Sequence, residues 1–307
     1  MTASSPDLRI GTRGSPLALA QAHEVRDRLL SIHDGLSVEI IVISTTGDKV
    51  QDRRLSEIGG KGLFTKEIQE ALLHGRIDIA AHSMKDVETW LPDETAIAVV
   101  LEREDPRDVF LSPKAGTLDE LPAGAVVGTS SLRRQAQILY RRPDLRVDTL
   151  RGNVQTRLRK LGEGVVDATL LALAGLKRLG NEGVAQSVID TDVVLPAVAQ
   201  GIIGIEIRRE DDRVRNLLAP LNHPPTWTRM AAERAMLAAL DGSCETPIGG
   251  LAKLIADGRI ELTGLVAMPD GSQLHRMSET AAVADAQILG TELGRALRAR
   301  MPADFFA

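Results

Sequence analysis

The chain has 307 residues and a formal net charge of −5, with 43% hydrophobic and 26% charged residues, a balance that fits two or three globular domains rather than a disordered or low-complexity chain. Its single cysteine rules out an intrachain disulfide or a multi-cysteine zinc site, and its six histidines show no ligand spacing, so no metal is expected. No apolar run approaches the ~18 residues of a membrane span, and MTASSPDLRI lacks the features of a signal peptide, so a cytoplasmic protein with no membrane contact is expected.

LRIGT (8–12) reads as a strand, after which Gly14, Ser15 and Pro16 supply a turn, an N-cap and a first-position proline for a helix to about Leu30. VEIIVIST (38–45) is the next strand, which makes the opening a βαβ unit with Arg13 and Ser15 at the carboxyl end of its first strand. Ligands of open α/β sheets bind at that end. The glycine-rich segment 46–62 carries Lys61 and is expected to be a mobile loop and a lid. Beyond Phe64 a helix runs through Ile68 and Leu72 to Gly75, and the strand RIDIAAHS then delivers Ser83, Lys85 and Asp86 in the run SMKD. A Lys-Asp loop pair is ordinarily a solvated ion pair worth under about 1 kcal/mol. Here it follows a buried-type strand in the same position as Arg13, which favours a site. AIAVVL closes this part, and REDPRD (103–108) reads as a crossover between domains.

Residues 128–160 hold nine Arg or Lys against two Asp, a local charge of +7 that leaves −12 for the rest of the chain. Such an island is a candidate receptor for an anion. AVVGT (125–129) reads as a strand, Ser130 and Ser131 are N-cap types, and Leu132, Ala136, Leu139 and Tyr140 mark the apolar face of a helix. Arg133 and Arg134 then fall in the first turn, where the helix dipole disfavours cations by a few tenths to about 1 kcal/mol. The arrangement repeats: RVDTL is a strand, Arg151 follows it, Asn153 caps a helix whose buried face is Val154, Leu158 and Leu161, and Arg157 lies one turn in. Two helix N-termini with misplaced arginines describe a site for several carboxylates or phosphates; the alternative is a solvated basic face. Aromatic residues make up 2% of the chain, which leaves few platforms for stacking bases, so no nucleic-acid partner is expected.

DATLLAL is a further strand, AGLKRLG places Lys177 and Arg178 at another strand-to-helix junction, and Gln200 precedes a strand with Ile203, Ile205 and Ile207 alternating. NHPPT (222–226) reads as a linker. Beyond it lie a helix from about Trp227 to Leu240, strands near 250–256, 259–268 and 272–280, turns at Asp257-Gly258 and 269–271, and a helix near 285–300, together a small α+β domain. Cys244, in DGSCETPIGG, reads equally as a small buried hydrophobe or as an accessible thiol for attachment.

Taken together, IGTRGSPLALAQA, GGKGLFTKE, HSMKD, EREDPRD, GTSSLRRQ, RRPDL, LRGNVQTRL, LAGLKRLG, LPAVAQG and GSCETPIGG resemble the porphobilinogen deaminase (hydroxymethylbilane synthase) family, in that family's order from Leu8 to the end. The resemblance implies an α/β fold: two periplasmic-binding-protein-like α/β domains around a cleft plus a small α+β C-terminal domain. The boundaries implied are 1–101 with 200–219 for a discontinuous first domain, 102–199 for the second and 220–307 for the third. It implies a monomeric transferase of porphyrin biosynthesis that joins four porphobilinogen molecules head to tail, with loss of ammonia, into hydroxymethylbilane. The partners are then porphobilinogen and the growing polypyrrole, and the cofactor is a dipyrromethane held through a thioether to Cys244. By matching position, Asp86 is the catalytic acid. Ser83, Lys85, Ser131, Arg133 and Arg134 hold the cofactor; Arg13, Ser15, Arg151, Arg157 and Arg178 hold the substrate and lengthening chain; Lys61 and Phe64 cover the cleft. Glu57, Glu88 and Ile202 depart from the family's usual residues. The competing reading is a non-catalytic anion-binding module of periplasmic-binding type, which needs neither Cys244 nor a third domain.

Overall fold

The computed structural model describes residues 6–49, 62–242, 246–302 and 305. Glu57, Lys61 and Cys244 lie outside the described residues. The first stretch holds β1 (Leu8–Thr12), α1 (Pro16–Ile32), β2 (Val38–Val42), α2 (Thr46–Lys49), α3 (Lys66–Leu73), β3 (Ile79–Ser83) and β4 (Thr95–Val100). Next come β5 (Asp108–Leu111), β6 (Val126–Gly128), α4 (Leu132–Arg141), β7 (Arg146–Asp148), α5 (Val154–Gly162), β8 (Ala168–Ala172), α6 (Leu173–Arg178) and β9 (Ser187–Val188). Last are β10 (Ile203–Arg208), α7 (Asp212–Leu218), α8 (Pro224–Ala239), β11 (Ile248–Ile255), β12 (Arg259–Ala267), β13 (Leu274–Ala282) and α9 (Ala286–Arg298).

The chain forms two compact units, Met1–Arg103 with Ile202–Trp227 and Glu104–Gly201 with Thr228–Ala307. In the first, the strand order is β2-β1-β3-β10-β4, with β1 parallel to both neighbours and β10 antiparallel to both of its own. Ser15 caps α1 by accepting from the Ala18 N–H, and Pro16 opens the helix where a missing N–H costs nothing. That helix buries Ala22, Val25 and Leu29 against Leu8, Ile10, Ile79, Ile203, Ile205 and Ile207 of the sheet.

The second unit contains a sheet of the same plan, β7-β6-β8-β5-β9, in which β6 is parallel to its neighbours and β5 antiparallel to its own. Each five-stranded sheet therefore has an antiparallel strand in fourth place. This unit also contains the antiparallel sheet β11-β12-β13. Asp257 and Gly258, both at positive φ (59° and 66°), turn the three-residue connection 256–258 between β11 and β12, where their sequence predicts a hairpin turn. The helices α8 and α9 approach closely at Gly290 and Gly294, where an added Cβ would meet backbone oxygens of Ala232 and Met236 at 2.2 and 2.6 Å.

Two expectations need correction. NHPPT is not a linker: α8 begins at Pro224, and the fully buried Thr226 Oγ1 accepts from the Arg103 N–H at 3.0 Å and meets the His223 ring at 2.8 Å. Consecutive prolines suit a first helical turn, whose N–H groups have no intrahelical partner. The buried face of α4 is also not the one its apolar residues suggest. Arg133, Arg134, Ala136, Gln137 and Ile138 are buried, while Tyr140 is 54% exposed. Polar side chains can turn inward there because each finds a partner in the protein interior.

Candidate functional site

In the first unit, the parallel pair β1 and β3 ends with Arg13–Ser15 beside Ser83–Asp86, at the carboxyl edge of the sheet. An open pocket of about 430 Å³ lies there, lined by Arg13, Ser15, Phe64, Ser83 and Asp86 among others. A single 3₁₀ turn, Met84–Asp86, presents the carboxylate; it is fastened by the Met84 N–H donating to the Ile202 carbonyl at 2.9 Å and by Met84 packing into the core. Asp86 is half-buried and has no hydrogen-bond or ion-pair partner among the described residues. Lys85, on the same turn, is half-buried and engaged.

The Arg13 guanidinium sits 4.1 Å from the centroid of the Phe64 ring, a cation–π contact worth about 0.5–1 kcal/mol at exposed sites. Phe64 in turn occupies the space beside Gly47, where an added Cβ would strike the ring at 2.2 Å. Ser15 lines the pocket while its hydroxyl caps α1. Glu88 accepts from the Gly62 N–H at 2.7 Å and so anchors the residue that follows Lys61. Behind the pocket, Glu206 of β10 is fully buried and takes bonds from the His82 ring (2.9 Å) and the Gln69 amide (3.1 Å). Burial pushes the Glu206 carboxyl up, but these hydrogen bonds, with one from Thr95, outweigh it and hold the group below its ordinary range.

In the second unit the basic island resolves into distinct parts. Arg141, Arg142 and Arg159 form surface ion pairs with Asp119, Asp144 and Glu163. Arg133 and Arg134 are instead buried at the N-terminus of α4, which Ser131 caps by accepting from the Arg134 N–H. Both converge on Asp108, the fully buried first residue of β5. Arg134 grips it with two bonds, Arg133 adds a third at 2.9 Å and reaches the Leu195 carbonyl at 2.6 Å, and the Gln200 amide supplies a fourth at 2.8 Å. Burial alone would raise the Asp108 pKa; the two guanidiniums drive it far below the usual carboxylate range. Two guanidiniums on one carboxylate leave one net positive charge, and the buried Arg133 Nε has no acceptor among the described residues.

Three further cations accompany this cluster. Arg151 is buried at the end of the β7 segment, and its carbonyl accepts from Lys160 Nζ at 3.3 Å. Arg157 donates to the Gly152 carbonyl at 2.9 Å on α5, whose cap is Asn153, and Arg178 donates to the Gly201 carbonyl at 3.0 Å. Arg13, Ser15, Phe64, Ser83 and Asp86 thus share one pocket in the first unit; Ser131, Arg133, Arg134, Arg151, Arg157 and Arg178 belong to the second.

Asp108, Gln200 and Glu233 are absent from the site that sequence reasoning assembles. The signal for Asp108 is an acid opening the otherwise apolar strand DVFL. Glu233, fully buried on α8, accepts from the Ala199 N–H at 2.7 Å and the Ala252 N–H at 2.8 Å. Ala199 has φ 59°, a left-handed conformation that costs a residue with a Cβ roughly 1–2 kcal/mol. No cluster of three or more His, Cys, Asp or Glu suited to a metal ion occurs among the described residues, and none of their helices is long and apolar enough to cross a membrane.

Comparison with known proteins matches residues 8–216 to the family model described as "Porphobilinogen deaminase, dipyromethane cofactor binding domain" and residues 227–299 to "Porphobilinogen deaminase, C-terminal domain". The porphobilinogen deaminase of Nitrobacter winogradskyi is 56% identical over 97% of this chain and 94% of its own length. That of Paracoccus denitrificans is 56% identical over 97% and 96%, and the chloroplastic one of Oryza sativa 56% over 97% and 85%. Among solved structures, the methionine binding protein MetQ matches with a TM-score of 0.46 and 15% identity over 72% of this chain and 91% of its own.

Proposed function

The chain belongs to the porphobilinogen deaminase family, and from that premise we infer that Asp86 is the carboxylate at which its chemistry occurs. The enzyme is a transferase that builds a linear tetrapyrrole from porphobilinogen. As the aminomethyl C–N bond breaks, its electron pair leaves with ammonia while the pyrrole nitrogen lone pair flows in, and the substrate ring becomes an azafulvenium cation. The α-carbon of the acceptor pyrrole then forms the C–C bond, and its proton goes to a base.

Asp86 suits two of these demands. Its open carboxylate accepts the pyrrole N–H and offsets the cation, and it is the carboxylate lining this pocket that can take the proton. At an effective dielectric of 20, opposite charges about 4 Å apart attract by roughly 4 kcal/mol, a rate factor near a thousand if realised only in the transition state. Arg13 holds a substrate carboxylate, with its guanidinium kept beside the Phe64 ring. The observation that carries the assignment is the Asp86 carboxylate, without a partner among the described residues, in the same pocket as Arg13.

The family's cofactor is a dipyrromethane, which supplies a carboxylated primer when bound. The donor chemistry of the second unit fits such a group: a buried guanidinium pair with one net positive charge and an orphan Arg133 Nε. Arg133, Arg134, Ser131, Lys85 and Ser83 would hold it, and Arg151, Arg157 and Arg178 would bind the carboxylates of the lengthening chain. Cys244, between α8 and β11 in sequence, is the attachment point. We assign three domains (1–101 with 200–219, 102–199, and 220–307), a monomeric state, a cytoplasmic location and no nucleic-acid partner to the same reading.

Intact-mass measurement of the purified chain tests it. The reading expects the increment of two pyrrole units, lost in a Cys244→Ser variant; a bare chain from a porphobilinogen-replete host would favour the non-catalytic module.

A further inference from the structure

The segment Leu195–Gln200 is held from two sides, and its fastenings join the guanidinium pair to the elements that flank Cys244. On one side, α4 grips Leu195: its carbonyl accepts from Arg133 Nη1 (2.6 Å) and Gln137 Nε2 (3.1 Å), and its N–H donates to Gln137 Oε1 at 2.7 Å. On the other side is β11. The Gly250 N–H donates to the Pro196 carbonyl at 2.9 Å, and a Cβ on Gly249 or Gly250 would press on Leu195 or Val198 at 3.2 and 2.9 Å. Glu233 of α8 completes the hold, with one carboxylate oxygen on the Ala199 N–H and the other on the Ala252 N–H of β11. The next side chain, Gln200, spans to Asp108 (2.8 Å) and the Pro106 carbonyl (2.6 Å), and Asp108 is the shared partner of Arg133 and Arg134.

We propose that Glu233 is a positioning residue: it keeps Ala199 left-handed, which aims Gln200 at Asp108 and thereby sets the guanidinium pair that receives the dipyrromethane carboxylates. The proposal rests on the assignment of that pair to the cofactor. The physical logic is a strained backbone that persists because neighbours over-determine it. Without the Glu233 acceptor an alanine relaxes out of the left-handed region, whereas a glycine would stay. Gln200 then loses its line to Asp108, and one of the four donors on that carboxylate is withdrawn.

The test uses the full chain in four forms besides wild type: Glu233→Gln, Ala199→Gly, the double variant, and Gln200→Met. Two readouts are taken: the fraction of chains carrying the dipyrromethane increment by intact mass, and amide exchange of Gln200–Ile202. Glu233→Gln should load about fivefold less cofactor and exchange about tenfold faster, on the scale of one altered hydrogen bond to a buried group. Adding Ala199→Gly should restore both, with Ala199→Gly alone as the reference. Gln200→Met acts after the strained residue, so it should lower loading by itself. Full loading of a folded Glu233→Gln chain, or a loss that glycine at 199 leaves in place, overturns the proposal. Should Glu233→Gln fail to fold, the proposal stands or falls on Gln200→Met, whose normal loading would overturn it. A wild-type chain of bare sequence mass would remove the cofactor assignment, and the exchange pattern would still decide the geometric relation.

Discussion

Arg134 holds both oxygens of Asp108, Nε to Oδ2 at 3.0 Å and Nη2 to Oδ1 at 2.8 Å, around a carboxylate with no exposure to solvent. Removing Arg134 takes two of the four donors from that carboxylate and leaves Arg133 as its counter-charge, at a cost of up to about 3–5 kcal/mol. Arg134→Met should therefore lower the denaturation midpoint and, in the chains that fold, yield apo mass. Arg134→Met with Asp108→Leu should be less stable again, because it leaves the buried Arg133 without its counter-charge, and should carry none of the cofactor. Equal loss of stability in the single and double variants would show that Arg133 does not depend on Asp108.

Asp86→Asn preserves shape and keeps an acceptor oxygen but removes the charge. Because the carboxylate is half-buried and makes no contact that the fold depends on among the described residues, the variant should melt like wild type and carry the cofactor. Its kcat should fall by about a thousandfold. Turnover within tenfold of wild type would move the site of cation stabilisation elsewhere.

Arg13→Met tests the other side of the pocket. If the guanidinium binds a substrate carboxylate, KM should rise about tenfold or more, in line with a charge-assisted hydrogen bond, while kcat changes less. Steady-state kinetics with porphobilinogen distinguish this from a role in the chemical step, which would lower kcat and leave KM.

The buried Glu206 predicts a shape for the acid limb of stability. Its folded pKa lies below the ordinary value, so its stabilising contribution is complete above the unfolded pKa of about 4.3 and is lost as pH falls toward the folded value. Wild type should exceed Glu206→Gln in stability at pH 6, and the gap should narrow between about pH 5 and pH 3. A gap independent of pH in urea titrations would place its effect in packing alone.

What the sequence discloses follows the reach of each signal. Local chemistry is legible: Ser15 with Pro16, the Asn153 cap and the Asp257-Gly258 turn each act within a few residues, and all appear as read. The strand-end placement of Arg13 and Asp86 is legible for the same reason, since it needs only the strand and its terminus. The inward turn of Arg133 and Arg134 is not, because the carboxylate that stabilises it is 25 and 26 residues away and the amide that completes the cluster lies 92 residues beyond that carboxylate. Tyr140 misleads in the converse way: its apolar ring fits the helical period, yet the interior beside α4 is occupied by Gln137 and Ile138. Consecutive prolines at 224 and 225 look like a linker until the helix they initiate is seen.

The fourth strand of the first sheet has a consequence for biosynthesis. β4 pairs only with β10, so after Val100 leaves the ribosome the outer edge of β3 waits for Ile203 before it gains a neighbour. At about 5–20 residues per second that interval is roughly 5–20 s, during which an unpaired strand edge is open to mispairing. The second sheet draws all of its strands from the uninterrupted run between Asp108 and Val188. Translation thus reverses the order of completion: the sheet begun second is the one able to close first, and the amino-terminal sheet is sealed only when most of the chain has been made.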